Sequence, residues 1–227
     1  PMKLNSRRTI LTGLAFLSIC AFWQMYDNVI PLILTKTFHM NETFSGAIMA
    51  ADNVLALFLL PFFGARSDKT NTKIGKRMPY ILFGTGCAVI LMNLLPLIDN
   101  SYASAPSGFK TASFVIVLGL LLVAMGTYRS PAVALMPDLT PKPLRSRANA
   151  IINLMGAVGG MLYLGVAAVL YSQRRLDTMG LTKADRLDYQ PLFLVVSAIM
   201  FLSVAILFLT IKEPKLAREN RELEEKH

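Results

Sequence analysis

The sequence is poor in charge, poor in cysteine and nearly without histidine. Charged residues make up 16% of its 227 positions, against about 25% in ordinary soluble domains. Two cysteines and two histidines are too few and too scattered for a disulfide framework or a zinc site. Cys20 and Cys87 fall inside apolar stretches and read as buried thiols, while His39 lies in a connection and His227 at the end. There is no phosphate-cradling glycine loop, His/Glu metal pair or nucleophile motif, so an enzyme is not expected and no cofactor or metal is implied. Long segments of alternating polarity, the mark of a membrane β-barrel, are also missing.

Apolar surface is what the chain has in excess. Hydrophobic residues account for 54% of it and the mean hydropathy is +0.49. These residues gather in blocks, and a bilayer core needs about 20 mostly apolar residues per helix. Six segments qualify: 11–34, 44–63, 80–98, 112–136, 148–171 and 192–211. The expected fold class is an all-α membrane protein, a six-helix transmembrane bundle over 1–211 with a charged linker or tail over 212–227. The first segment follows Lys3, Arg7 and Arg8 as a signal peptide would. Its apolar run is too long and no small-residue cleavage site follows, so it reads as a retained helix. Pro1 ahead of Met2 suggests a clipped start and carries no further weight.

The net charge of +9 could suggest nucleic acid, but its placement argues for topology. With the N-terminus inside, one side of the membrane holds Lys3, Arg7 and Arg8, the basic run from Arg66 to Arg77, Lys142 to Arg147, and the lysines and arginines after Lys212. The other side holds only Lys36, Lys110, Arg174, Arg175, Lys183 and Arg186. This alternation is the positive-inside pattern, and it places both termini in the cytoplasm of a multi-pass protein of the cell membrane. The expected neighbour of the basic excess is the lipid bilayer with its anionic headgroups, not nucleic acid.

Ionisable groups inside a bilayer are costly and usually face a cavity or a partner. Helix 1 carries Asp27 with Gln24, Tyr26 and Asn28; helix 2 carries Asp52 with Asn53; helix 4 carries Arg129 beside Tyr128. Helix 5 presents Asn149, Asn153, Gly156 and Gly160 at helical spacing, and its G-x-x-x-G pair is better explained by close helix packing than by ligand contact. Helices 3 and 6, within 80–98 and 192–211, hold no ionisable residue. Helices 1, 2, 4 and 5 are therefore expected around a wet interior, with 3 and 6 as lipid-facing supports. At 1.5 Å per residue both aspartates fall in the outer half of a core about 30 Å thick, and Arg129 nearer the cytoplasm. A water-filled path with acids above and a base below is the expected arrangement.

The connection after the second helix is the most specific local signal. It runs Gly64-Ala65-Arg66-Ser67-Asp68-Lys69, then on to Gly75-Lys76-Arg77-Met78-Pro79. Glycine permits the tight reversal, the acid can cap or pair, and the cations sit at the membrane surface. This stretch resembles the loop signature of the major facilitator superfamily, with extra residues between its acidic and Gly-basic parts. That spacing is similar to the branch of glycoside–pentoside–hexuronide cation symporters and sucrose-type transporters. Trp23-Gln24-Met25-Tyr26-Asp27-Asn28 and Tyr128-Arg129-Ser130-Pro131 through Asp138 agree with it.

The resemblance implies the N-terminal half of a twelve-helix fold, built as two inverted three-helix repeats, with a central cavity and alternating access. It implies that Gly64, Asp68, Lys69, Gly75, Lys76 and Arg77 form a cytoplasmic gating loop, with Asp138 as a bonding partner for Arg77 or Arg66. The polar groups within the spans make Asp27, Asp52, Arg129, Gln24, Asn28, Asn53, Tyr128 and Asn153 the expected substrate or coupling-ion set, and the resemblance adds that Arg129 falls where many members keep a helix 4 arginine. Ala56 stands where sodium-coupled members of this branch have a second acid, and no acid lies at the centre of helix 4, which favours a proton as the coupling ion. The expected substrate is a sugar or glycoside. The expected partner is a C-terminal six-helix half, in the same or another chain, since one half does not enclose a pathway. The alternatives are a drug or metabolite exporter on the same fold and a non-transporting membrane scaffold.

Overall fold

A computed structural model describes residues 3–226; Pro1, Met2 and His227, the last of the predicted tail, lie outside the described residues. The first span is α1 (Ser6–Thr12) continued by α2 (Leu14–Lys36), with a break at Gly13. The next three spans are α3 (Glu42–Lys69), α4 (Met78–Ser104) and α5 (Gly108–Leu139). A 3₁₀ turn over Lys142–Leu144 leads into α6 (Arg145–Leu170), the fifth span, which is followed by the short α7 (Gln173–Met179). The sixth span is α8 (Gln190–Thr210), and α9 (Glu213–Lys226) closes the described chain. These six long helices are apolar enough to cross a membrane.

Local chemistry sets most helix starts. Asn5, Asn41, Ser107 and Ser172 each accept a bond from the backbone N–H three residues on, as side-chain N-caps do. α4 has no such cap of its own. Pro31, Pro61, Pro96, Pro131 and Pro137 lie inside helices, a position membrane helices tolerate because neighbouring groups satisfy the freed backbone.

The packing has an internal symmetry. Span 1 packs on spans 5 and 6, and span 4 packs on spans 2 and 3, so exchanging 1 with 4, 2 with 5 and 3 with 6 maps one set of partners on the other. The core is made by spans 1, 3, 4 and 6 through Phe22, Met25, Met92, Phe114, Met125 and Phe193. Spans 3 and 6 thus pack one face on spans 1 and 4 and leave Phe83, Ile90, Phe201 and Leu209 uncovered on the other, as expected of outer supports. A run of leucine and valine suits lipid and protein equally, so sequence alone does not separate the two. Span 2 is the least buried, with only Ser45 and Ser67 enclosed.

Connections 37–41, 105–107 and 171–189 gather at one end of the bundle. Lys36 Nζ donates to the Lys183 carbonyl at 2.7 Å. Arg186 reaches Thr37 Oγ1 at 3.1 Å and Asn100 Oδ1 at 2.5 Å, and pairs at 3.2 Å with Asp99. Asp99 is fully buried and belongs to α4. The third helix therefore does carry an acid, one residue past the predicted edge at position 98. The opposite end holds the 70–77 connection, the 140–144 turn, the N-terminal segment and α9.

Candidate functional site: a two-part cleft and a buried arginine hub

Span 1 supplies the wall between two cavities. Trp23 takes its place through aromatic packing, with ring centroids 5.2 Å from Phe22 and 5.1 Å from Tyr26. The Arg129 guanidinium lies 5.4 Å from the Trp23 ring centroid, within cation–π range. On one side of Trp23 a cavity of about 20 Å³ has Asp52 and Arg129 on its wall, together with Leu55, Leu59 and Gly126. A Cβ on Gly126 would lie 2.9 Å from Leu59 Cδ1, so this glycine lets spans 2 and 4 approach. On the other side an open cleft of about 550 Å³ runs between spans 1 and 5, lined by Cys20, Gln24, Asp27, Asn153 and Gly160.

The predicted residues divide accordingly. Asp52 and Arg129 share the small cavity; Gln24, Asp27 and Asn153 share the open cleft. Among the described residues Arg129 makes no carboxylate ion pair. Asn28 is exposed and its Nδ2 donates to the Gln24 carbonyl at 2.6 Å, while Asn53 is exposed; neither lines the two cavities. Tyr128 is fully buried in the core against Gly84, where a Cβ would come within 2.7 Å of Tyr128 Cβ, so the structure removes it from the cleft. Its large ring lies on the side of span 4 that faces span 3. Trp23 and Cys20 were missed as lining residues; their positions one turn apart from Gln24 and Asp27 on one helix face were the available signal.

The glycine pattern on span 5 also resolves differently from its sequence reading. Gly156 and Gly159 are the close-packing pair: a Cβ on Gly156 would lie 2.6 Å from Phe16 Cε1, and one on Gly159 would overlap the Leu17 carbonyl. Gly160 instead faces the cleft, its nearest atom being Gln24 Oε1 at 4.0 Å. The G-x-x-x-G pairing missed this because 3.6 residues per turn bring position 159, not 160, against span 1.

At the other site Arg77 is a hub. Its Nε donates to Asp138 Oδ2 at 2.8 Å and its second amino group pairs with Asp68 at 2.5 Å. The remaining nitrogen donates to Ser67 Oγ and, at 3.4 Å, to the Gly64 carbonyl. Burial works against the Arg77 charge, yet its bonds with Asp138 and Asp68 hold its pKa above the ordinary arginine value. Lys69 and Lys76 are exposed beside it.

The missing cap of α4 comes from far along the chain. Glu213, almost fully buried, accepts the backbone N–H of Arg77 with both oxygens at 3.0 Å and that of Met78 at 3.0 Å. A carboxylate at a helix N-terminus satisfies orphan donors and the helix dipole together. Burial still pushes the Glu213 carboxyl above its ordinary value, against the pull of those backbone donors. Gly75 makes room for it at φ +123°, a backbone state that favours glycine, and a Cβ there would overlap the carboxylate. Sequence reading left Glu213 in a solvated segment because its partners lie 136 and 135 residues away.

Comparison with known proteins gives a consistent result. Residues 12–227 match the model of the Major Facilitator Superfamily. Sucrose transport protein SUC3 of Arabidopsis thaliana is 32% identical over 145 residues, covering 59% of this chain and 24% of that protein. Sucrose transport protein SUT3 of Oryza sativa subsp. japonica is 28% identical over 170 residues, covering 67% of this chain and 33% of that protein. Putative transporter YdfJ of Escherichia coli (strain K12) is 36% identical over 92 residues, 38% of this chain and 20% of that protein. The chain thus spans a third or less of the length of these relatives. With six membrane-length helices and a family match over almost its whole length, this integral membrane protein belongs to the Major Facilitator Superfamily.

Proposed function

We propose that this chain is the substrate-binding N-terminal half of a secondary active transporter that carries a sugar or glycoside together with a proton by alternating access. The observation that carries the reading is Arg129: a cation at membrane depth, seated on Trp23, on one cavity wall with Asp52 and without a carboxylate partner among the described residues. A charge at membrane depth is costly and is kept where something compensates it. A transported proton gives Asp52, and a substrate hydroxyl oxygen gives Arg129, a partner that comes and goes. The open cleft with Gln24, Asp27 and Asn153 offers acceptors and donors suited to a polyhydroxylated ligand. Its relatives named as sucrose transport proteins favour sugar over other small molecules.

The cleft is open on one side, and span 2 leaves Val54, Leu57, Phe58 and Phe62 uncovered along its length. A second six-helix half, in the same or another chain, closes the pathway in this reading. The Arg77 hub then latches the end where the 70–77 connection lies, which the positive-inside pattern makes cytoplasmic.

The test uses the full transporter in proteoliposomes. Asp52→Asn is expected to abolish uphill, proton-driven uptake while sparing counterflow exchange of the same sugar, since exchange needs binding and reorientation but no net proton movement. Undiminished uphill accumulation in that variant defeats the coupling role.

A further inference from the structure

α9 divides the space at its end of the bundle. One side presents Glu213, Ala217, Arg221 and Glu224 to a cavity of about 500 Å³ beside the Arg77 hub. The other side borders a cavity of about 370 Å³, shared with the 70–77 connection and the last turn of span 6. Its lining holds four cations, Lys73, Lys212, Lys215 and Arg218, and no acid. Lys215 and Arg218 are three residues apart and share one face of α9, Lys212 immediately precedes the helix, and Lys73 comes from the connection. All four are exposed, and none of them lines the cavity beside the hub. Among the described residues none forms an ion pair, not even with Glu219 and Glu222, four places beyond Lys215 and Arg218. Like charges gathered in one hollow repel, and an anion placed among them relieves that repulsion. The rest of the wall is apolar: Phe208 and Ile211 at the end of span 6, and Ile74, the one large apolar residue of the connection and 37% exposed. Lys212 Nζ stands 5.6 Å from the Phe208 ring centroid, which sets its ammonium where the basic and apolar walls meet.

A ligand that fits is anionic at one end and apolar at the other. Span 6 is apolar enough to cross the membrane, so a cavity at its last turn lies where lipid headgroups are. We propose that this cavity binds the headgroup of an anionic phospholipid, with phosphate on Lys212, Lys215, Arg218 and Lys73 and the start of the acyl chains against Phe208 and Ile74. This is a defined site, beyond the general attraction of basic loops for an anionic leaflet. Four unpaired cations suit two phosphates better than one, so a bisphosphate lipid such as cardiolipin should bind most tightly. A choline headgroup brings its own ammonium into a hollow that is already cationic, so it is disfavoured. The bound headgroup bridges the 70–77 connection and α9, the two parts that Glu213 joins through Arg77 N–H, and should hold them together. The cavity shares none of its residues with the two cavities of the transport site, so the proposal stands or falls independently of the transport reading.

The experiment measures lipid binding to the whole purified chain in detergent by native mass spectrometry, with thermal unfolding as a second readout. Cardiolipin, phosphatidylglycerol and phosphatidylcholine are compared. The two anionic lipids are expected to bind at least tenfold more tightly than the choline lipid, cardiolipin first, and to raise the unfolding temperature. Lys215→Ala with Arg218→Ala should lower affinity for both anionic lipids at least tenfold. Arg7→Ala with Arg147→Ala removes the same charge from exposed positions at the same end of the bundle, outside the cavity, and should change affinity less than twofold. Should the α9 variant fail to fold, Lys73→Ala with Lys212→Ala takes its place with the same expectation. Equal binding of phosphatidylglycerol and phosphatidylcholine overturns the proposal. So do equal losses in the cavity variant and the Arg7/Arg147 variant, which would reduce the site to general surface attraction. Displacement of phosphatidylglycerol by an equal concentration of soluble glycerol phosphate would deny the apolar wall any part and overturn the lipid assignment.

Discussion

The two ends of the bundle are each tied by one arginine, and they are tied differently. Arg77 is nearly enclosed, its side chain 8% exposed, and it sits between two acids, a serine and a carbonyl. Arg186 is 28% exposed and faces a single carboxylate that is fully enclosed, Asp99, with Thr37 and Asn100 as neutral partners. At one end the buried charge is the cation and its anions reach water; at the other the buried charge is the anion and its cation reaches water. A partner that touches water can be replaced by it more easily than one that does not. The two clamps should therefore fail in opposite ways.

The largest effect is expected from Arg77→Ala. It removes the bonds to Asp138, Asp68, Ser67 and the Gly64 carbonyl at once and takes a donor from the enclosed Ser67 hydroxyl, and should cost about 3–5 kcal/mol, read as a lowered unfolding temperature in detergent. Asp68→Ala removes a partner that is 62% exposed and should cost under about 1 kcal/mol. Equal losses would erase the distinction between a buried hub and its wet partner.

Arg186→Ala comes next, at about 3 kcal/mol, because it leaves Asp99 enclosed and unpaired. Adding Asp99→Asn should recover most of that loss, whereas adding Asp138→Asn to Arg77→Ala should recover less, since Asp138 is partly exposed and never paid the same burial cost. A double-mutant cycle at each end measures the contrast.

Gly180→Ala should cost only about 1 kcal/mol, the ordinary penalty of a left-handed backbone, as its φ is +72° with open space around it. Gly75→Ala at the opposite end meets the Glu213 carboxylate as well, so it should cost clearly more. Comparable unfolding temperatures for the two variants would mean that the Glu213 cap yields freely.

The smallest effect is a pH dependence. A carboxyl whose folded pKa is raised contributes most below its ordinary value and loses that contribution as pH climbs through the raised one. Burial raises that of Glu213. The stability of the protein relative to Glu213→Gln should therefore fall, by less than about 1 kcal/mol, as pH climbs from the ordinary carboxyl range through the raised one. A difference that grows with pH would show that the helix N-terminus outweighs burial.

This contrast also explains what could be seen in advance. The six spans were legible because a membrane helix must be long and apolar, a property that each segment carries by itself. Asp138 was anticipated as a partner for Arg77 or Arg66 only through the family resemblance that the pattern from Gly64 to Arg77 carries. Asp99 and Arg186 were not, since the acid sits at the polar end of an apolar run and the arginine in an ordinary loop, 86 positions beyond the neighbouring Asn100. Glu213 and the contact made by Gly159 were hidden for the same reason: each depends on an atom of another helix. In the cleft, Asp27, Asp52 and Arg129 stood out as charges in grease, but nothing in their spacing told which pair would share a cavity, or that Trp23 would divide them. Tyr128 shows the reverse error, a polar tip mistaken for a lining group when its ring fills the core.

Gly159 has one more consequence. Because its bare α-carbon rests on the Leu17 carbonyl, spans 1 and 5, the two walls of the cleft, meet at main-chain level at this point. Such a contact cannot widen by rearranging rotamers, so the spacing of spans 1 and 5 is fixed there. Any change in aperture is left to side chains such as Gln24, Asp27 and Asn153, and to whatever body lies across from them.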